Sequence, residues 1–219
     1  NVSHEFKTPL SSIEGYAMLL QDESLSAEAR SEYTERIVVS TRRLSTLVSN
    51  ILMITKIENQ TMPFTLSSYR VDEQVRQSIL LLENKWSEKN IGFEMDMDSI
   101  EFCAVEGLLG NVWSNLIDNA IKFSPEGEII YISLKEKDDM LSFKIANRGE
   151  PMSGETLKRI FEKFYQGDTS HKREGNGLGL ALVKKIVRVH GGSVSAVNTE
   201  DGLIEFTVNL PAKRSCERC

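Results

Sequence analysis

Basic residues are not in excess in this chain. Twenty-six lysines and arginines stand against 32 aspartates and glutamates, a net charge of −6. A nucleic-acid partner is therefore disfavoured, because no basic stripe outweighs phosphate repulsion. No run reads as apolar enough to span a membrane, and no signal peptide is visible. An initiator methionine is also missing and the first residues already fall in a helical pattern, so the chain reads as a cytoplasmic fragment. Cysteine is scarce, at three. Cys103 lies in the apolar run IEFCAV and reads as a small buried side chain. Cys216 and Cys219 form a single C-x-x-C in a polar, disordered-looking tail; two ligands are too few for a zinc site without others. All three suit a reducing compartment. What remains, 40% hydrophobic and 26% charged over 219 residues, is ordinary for one globular domain plus a smaller element.

The smaller element comes first. Val2, Phe6, Leu10, Ile13, Tyr16 and Leu20 recur at helical spacing, as do Tyr33, Ile37, Leu44, Leu47, Ile51 and Ile54, around the short polar DESLSAEA. This predicts a helical hairpin with one apolar stripe per helix. Two helices bury such stripes poorly, whereas two copies form a four-helix bundle, so a homodimer is expected over packing within one chain. NQTMPF, with Pro63, is the candidate hinge. The boundaries follow: a hairpin over 1–62, an α/β unit over 63–212, and a tail over 213–219. In the second unit FTLSSY, GFEMDMD, EFCAVE, EIIYISLKE, MLSFKIAN, SVSAVNT and LIEFTVNL read as strands. VDEQVRQSILLLENKWSEKN, GLLGNVWSNLIDNAIKF, ETLKRIFEKFY and LGLALVKKIVRVH read as helices. The fold class is α+β: a helical hairpin, then a two-layer α/β sandwich with a mixed sheet.

Three motifs carry chemistry. SHEFKTPL places His4 and Thr8 four apart on one helix face, with Glu5 beside the imidazole. A carboxylate there can hold one ring nitrogen as a donor and leave the other as nucleophile. In NLIDNAIKF, Asn115, Asn119 and Lys122 form one stripe on an otherwise apolar helix, where asparagine is a poor former and needs a reason. Amide oxygens suit Mg²⁺, and lysine suits phosphate. GNGLGL, from Gly175 to Leu180, opens a helix whose free amides suit phosphate, although its spacing is neither that of the Walker loop nor that of the dinucleotide fingerprint. The polar loop QGDTSHKREGN before it resembles a lid; Lys172 and Arg173 there meet phosphates or form a solvated pair. His171 reads as solvated, His190 as a helix C-terminal residue, and Trp86 and Trp113 as core or interface.

In order and content these motifs resemble those of bacterial two-component sensor histidine kinases, over nearly the whole chain. SHEFKTPLSSI resembles the H box, NLIDNAIKF the N box ending at Phe123, and IANRGEPM the first glycine box with Asn147 and Gly149. RIFEKFYQ resembles the F box, and GNGLGLAL the second glycine box. The resemblance implies a dimeric phospho-acceptor hairpin, a Bergerat-fold ATP domain, and the cofactors ATP and Mg²⁺. It implies that His4 takes the γ-phosphoryl group with Glu5 as base or orienter, and that Thr8 positions water in a phosphatase reaction. Asn119 with Asn115 would ligate Mg²⁺ and Lys122 would contact phosphate. Gly175, Gly177, Leu178 and Gly179 would shape the lid and phosphate loop. The partner would be a response regulator receiver domain, and the parent a sensor anchored in the cell membrane.

The sequence departs from the pattern at three places. Asn147 stands where an aspartate receives the adenine amino group, and Pro151 replaces the second glycine of that box. An amide still accepts the hydrogen bond, but losing charge assistance costs about 1 kcal/mol, roughly tenfold in binding. Gln166 replaces a frequent arginine, and Leu203-Ile204-Glu205 a small Gly-Thr step. Two other readings stay open: a degenerate nucleotide module acting as scaffold or phosphatase, and a chaperone- or topoisomerase-like ATPase, which leaves the His4 hairpin without purpose.

Overall fold

The chain folds as a helical hairpin followed by an α/β unit, and the computed structural model describes residues 2–59, 65–167 and 176–212. The expected hinge and the C-x-x-C tail therefore lie largely outside the described residues. Helix α1 spans Val2–Leu19 with Pro9 inside it, and α2 spans Ala27–Glu58. Ser26 caps α2 by accepting the amide of Ala29. Arg30 donates to the carbonyls of Leu20 and Asp22, satisfying groups just beyond the end of α1. Tyr16 stacks on Tyr33 with ring centroids 5.5 Å apart, and Ser40 bonds Ser12 across the pair.

One expectation about this hairpin needs correction. Helix α2 is long and apolar enough, by length and composition, to cross a membrane. Its apolar residues are interleaved with serines and threonines and with Arg42 and Arg43. Leu10, Met18, Leu19, Val38, Val39, Val48 and Leu52 are exposed, while Leu47, Ile54 and Ile57 are buried within the chain.

The α/β unit begins with β1 (Ser67–Arg70), α3 (Val71–Leu80), α4 (Glu83–Glu88), β2 (Gly92–Met97) and β3 (Glu101–Ala104). Helix α5 (Glu106–Phe123) follows, then β4 (Ile129–Lys137), β5 (Met140–Arg148) and α6 (Gly154–Arg159). The unit closes with α7 (Gly179–Val189), β6 (Ser193–Asn198) and β7 (Leu203–Pro211). Five strands form one sheet in the order β2-β4-β5-β7-β6, mixed because β2 runs parallel to β4 while the other pairs are antiparallel. Strands β1 and β3 pair only with each other. Alternation along β4, β5 and β7 sends Ile130, Ile132, Leu134, Leu141, Phe143, Ile145, Phe206 and Val208 to one face, onto α5 and α7. Trp113 is buried against Phe143, as expected of a core residue.

Two expected helices are shorter than their patterns. The helix expected over 71–90 breaks at Leu81 and Leu82 into α3 and α4, and the Trp86 indole turns back to donate to the Ile79 carbonyl. The helix expected through the F box stops at Arg159. Phe164 then takes a left-handed φ of 63° so that the chain doubles back. Cys103 is buried but is not a free thiol: it is disulfide-bonded.

Candidate phospho-acceptor and nucleotide site

His4 stands exposed in the first turns of α1. Thr8, also exposed, donates its hydroxyl to the His4 carbonyl at 3.2 Å, so the two share one face as their spacing requires. Glu5 is placed differently. Successive helical residues point about 100° apart, and the Glu5 carboxylate turns toward α2, where Arg43 is its ion-pair partner at 3.7 Å. Arg43 carries no sequence signal, since only the pairing of α1 with α2 brings it there.

The asparagine stripe is built by back-bonding. Asn111 donates to the Gly107 carbonyl and Asn115 to the Asn111 carbonyl, each at 2.7 Å. With its nitrogen so engaged, Asn115 presents its Oδ1 toward the start of α7. A Cβ at Gly179 would lie 2.6 Å from that oxygen. Helix α7 has no side-chain N-cap, which leaves its first-turn amides open to an anion. Asn119 and Lys122 continue the half-buried face, and the Lys122 ammonium lies 4.7 Å from the Phe123 ring centroid. Gly177 has φ +64°, and its carbonyl accepts the Phe164 amide at 2.9 Å, fastening the F box to the second glycine loop. Lys172, Arg173 and Gly175 lie outside the described residues. Alanine at Gly179 must displace the Asn115 amide, and Mg-ATP binding is expected to weaken at least tenfold. Isothermal titration at a temperature where the variant remains folded checks this.

The first glycine loop meets the end of α5. Asn147 is buried on β5 and donates to the Arg148 carbonyl at 3.0 Å, which leaves its Oδ1 as the free acceptor. A Cβ at Gly149 would meet Ile204 at 3.1 Å and the Phe123 carbonyl at 3.4 Å. Within the Leu203-Ile204-Glu205 departure, Ile204 thus packs under the loop. Asn198 grips this loop by its backbone: its Oδ1 accepts the Met152 amide at 3.0 Å and its Nδ2 donates to the Met152 carbonyl at 2.7 Å. Sequence reasoning missed Asn198, which is remote in the chain and sits at a strand end.

The hairpin and the nucleotide side also touch. Glu58, at the end of α2, pairs with Lys163 of the F box at 2.9 Å and with Lys185 of α7 at 3.9 Å. The Lys163 bond holds the Glu58 carboxyl below its ordinary pKa. Among the described residues no cluster of three histidine, cysteine or acidic side chains could hold a metal. The amide oxygens of Asn115 and Asn119 are hard donors of the type Mg²⁺ takes together with phosphate and water.

Residues 1–60 match the His Kinase A phospho-acceptor domain, and residues 104–214 match the histidine kinase-, DNA gyrase B- and HSP90-like ATPase family. The chain belongs to the sensor histidine kinases and comprises their phospho-acceptor and ATPase-like domains. Over 211 residues it is 33% identical to the heme sensor protein HssS of Staphylococcus aureus, covering 96% of this chain and 46% of that protein. The chain thus spans about half the length of the curated relatives it matches. A structure of full-length ShkA in complex with AMPPNP is 28% identical with a TM-score of 0.73, over 99% of this chain and 46% of that one. Histidine kinase ThkA in complex with response regulator protein TrrA is similar in fold: TM-score 0.77, 24% identity, 97% of this chain and 60% of that one.

Proposed function

We propose that this chain transfers the γ-phosphoryl group of ATP to His4 and passes it to an aspartate of a response regulator. The carrying observation is a pair of built faces: an exposed imidazole with a hydroxyl one turn on, and an asparagine stripe whose amide oxygen meets the glycine-opened helix α7. In the transfer a P–N bond forms to a ring nitrogen of His4, the bond from the γ-phosphorus to the bridging oxygen breaks, and ADP leaves. The ring nitrogen must present a lone pair. Glu5 can steady the other ring N–H once it leaves Arg43. When bound, Mg²⁺ neutralises the phosphates. Asn119 and Asn115 would hold it, and Lys122 with Gly177, Leu178 and Gly179 would cradle the phosphates. Asn147 would accept the adenine amino group through Oδ1. Catalysis is then mostly positioning and charge neutralisation.

The exposed apolar residues of α1 and α2 suit a second hairpin, hence a homodimer. Thr8 suits water positioning in a reverse, phosphatase direction. The ShkA complex with AMPPNP and the ThkA complex with TrrA support nucleotide and response regulator as partners. The length of the relatives supports a longer parent; a membrane anchor in that parent, with this part in the cytoplasm, belongs to the same proposal. The test is incubation with γ-labelled ATP and Mg²⁺, then acid and base treatment. Acid-labile, base-stable label is expected; a folded protein with no label overturns autokinase activity. Buried, uncharged Asn147 favours a second reading, a nucleotide-silent scaffold, and the absence of Mg-ATP binding at millimolar nucleotide would select it.

A further inference from the structure

Helix α5 ends in an unusual way. Ser124 is extended at φ −69°, ψ 141°, and Pro125 follows. The common glycine ending uses the amide of the residue after the cap to satisfy the last carbonyls; here that residue is a proline and has no amide. The Ser124 amide and hydroxyl both go to one carbonyl, that of Ala120. The carbonyls further on are left without helical donors.

Lys89 supplies them. It lies just after α4, 32 to 35 residues earlier in the chain. Its ammonium donates to the carbonyls of Ile121 at 2.8 Å, Lys122 at 2.9 Å and Ser124 at 2.9 Å. Those three bonds match the three donors of an ammonium. The Lys89 carbonyl in turn accepts the Gly127 amide at 2.8 Å, so the residue grips both sides of the turn that leaves α5. Its charge also sits at the negative end of the helix dipole. What this grip holds is the last turn of the asparagine stripe. Lys122 is in it, Asn119 is one residue before the Ala120 carbonyl, and the neighbouring Phe123 carbonyl borders Gly149.

We infer that Lys89 is a positioning residue of the nucleotide site: it fixes the end of α5, and so the placement of Lys122 against phosphate and of Phe123 against the first glycine loop. This rests on the proposal that the stripe binds Mg-ATP. Lys89 touches no nucleotide itself; it also lowers the local negative potential where a triphosphate must approach.

The test compares Lys89→Met, Lys89→Arg and Asn119→Ala by titration of the whole chain with Mg-ATP, well below each variant's melting temperature. Lys89→Met is expected to weaken binding about tenfold. Lys89→Arg, which keeps charge and donors, is expected to recover most of it. A Lys89→Met chain that is folded, melts lower and binds Mg-ATP as the wild type does would overturn the inference and leave Lys89 a stability residue only. If Asn119→Ala also binds normally, the nucleotide assignment of the stripe fails instead; if Asn119→Ala loses binding and Lys89→Met keeps it, only the Lys89 inference fails. Should Lys89→Met not fold, Lys89→Gln, with two donors and no charge, carries the same comparison.

Discussion

Alanine at position 4 is expected to give a chain that binds Mg-ATP as before and takes up no acid-labile label. The effect is complete because the substitution removes the proposed nucleophile and nothing else: His4 is exposed, and its one described side-chain contact, from Thr8, is to its backbone carbonyl. The chain has three histidines. His190 is buried and cannot substitute. Its Nε2 accepts the Val105 amide at 3.3 Å, and its Nδ1 faces the Ile186 carbonyl at 2.9 Å and so must donate. Both ring nitrogens are engaged, and the tautomer is fixed by its partners. Undiminished label in the alanine variant would point to His171 or to a non-histidine acceptor, and the acid and base stability of the label separates those two. The expected outcome is read directly from label per mole of chain, with Mg-ATP titration as the control for folding and binding.

Asp72→Ala is expected to destabilise the α/β unit by about 3–4 kcal/mol, in the lower part of the range for breaking a buried ion pair. Asp72 is fully buried in the first turn of α3. Arg70 meets it with two bonds, at 2.8 and 2.7 Å, and Arg76 with a third at 2.8 Å. It also accepts the buried Ile100 amide at 3.2 Å, tying α3 to the approach to β3. Alanine leaves that amide without its acceptor. Arg70 and Arg76 are partly exposed and can return to water, which keeps the cost from the top of the range. The Arg70 guanidinium, then Arg76 and the Ile100 amide, hold the Asp72 carboxyl well below the usual carboxylate range against the opposing effect of burial. A depressed folded-state pKa contributes stability that is full above the unfolded value of about 3.9 and is lost as pH falls through the folded one. Urea melts should therefore show the full gap between wild type and variant at pH 7, and a shrinking gap below about pH 4. A gap that stayed constant down to pH 2 would show that Asp72 stabilises by packing rather than by charge.

Periodicity made the hairpin legible, because two helices with one apolar stripe each leave little choice of pairing. Alternation made β4, β5 and β7 legible for the same reason. The F box was not legible: its apolar spacing continues past Arg159, yet the chain turns at Phe164, where the amide bonds the Gly177 carbonyl. The break at Leu81 and Leu82 was equally hidden, since nothing local forbids a helix there.

Local order along the chain determined which groups are candidates for the chemistry: His4 beside Glu5 with Thr8 one turn on, the stripe of Asn115, Asn119 and Lys122, and glycines opening a helix. Spacing within one helix or one loop fixes such groups before any packing occurs. Only the tertiary structure decided what faces them. It set Glu5 against Arg43, Asn115 against Gly179, Asn198 on the backbone of Met152 and Lys89 on the end of α5. Each of these contacts joins residues tens of positions apart, and their meeting depends on how helices and strands pack, which short-range periodicity does not encode.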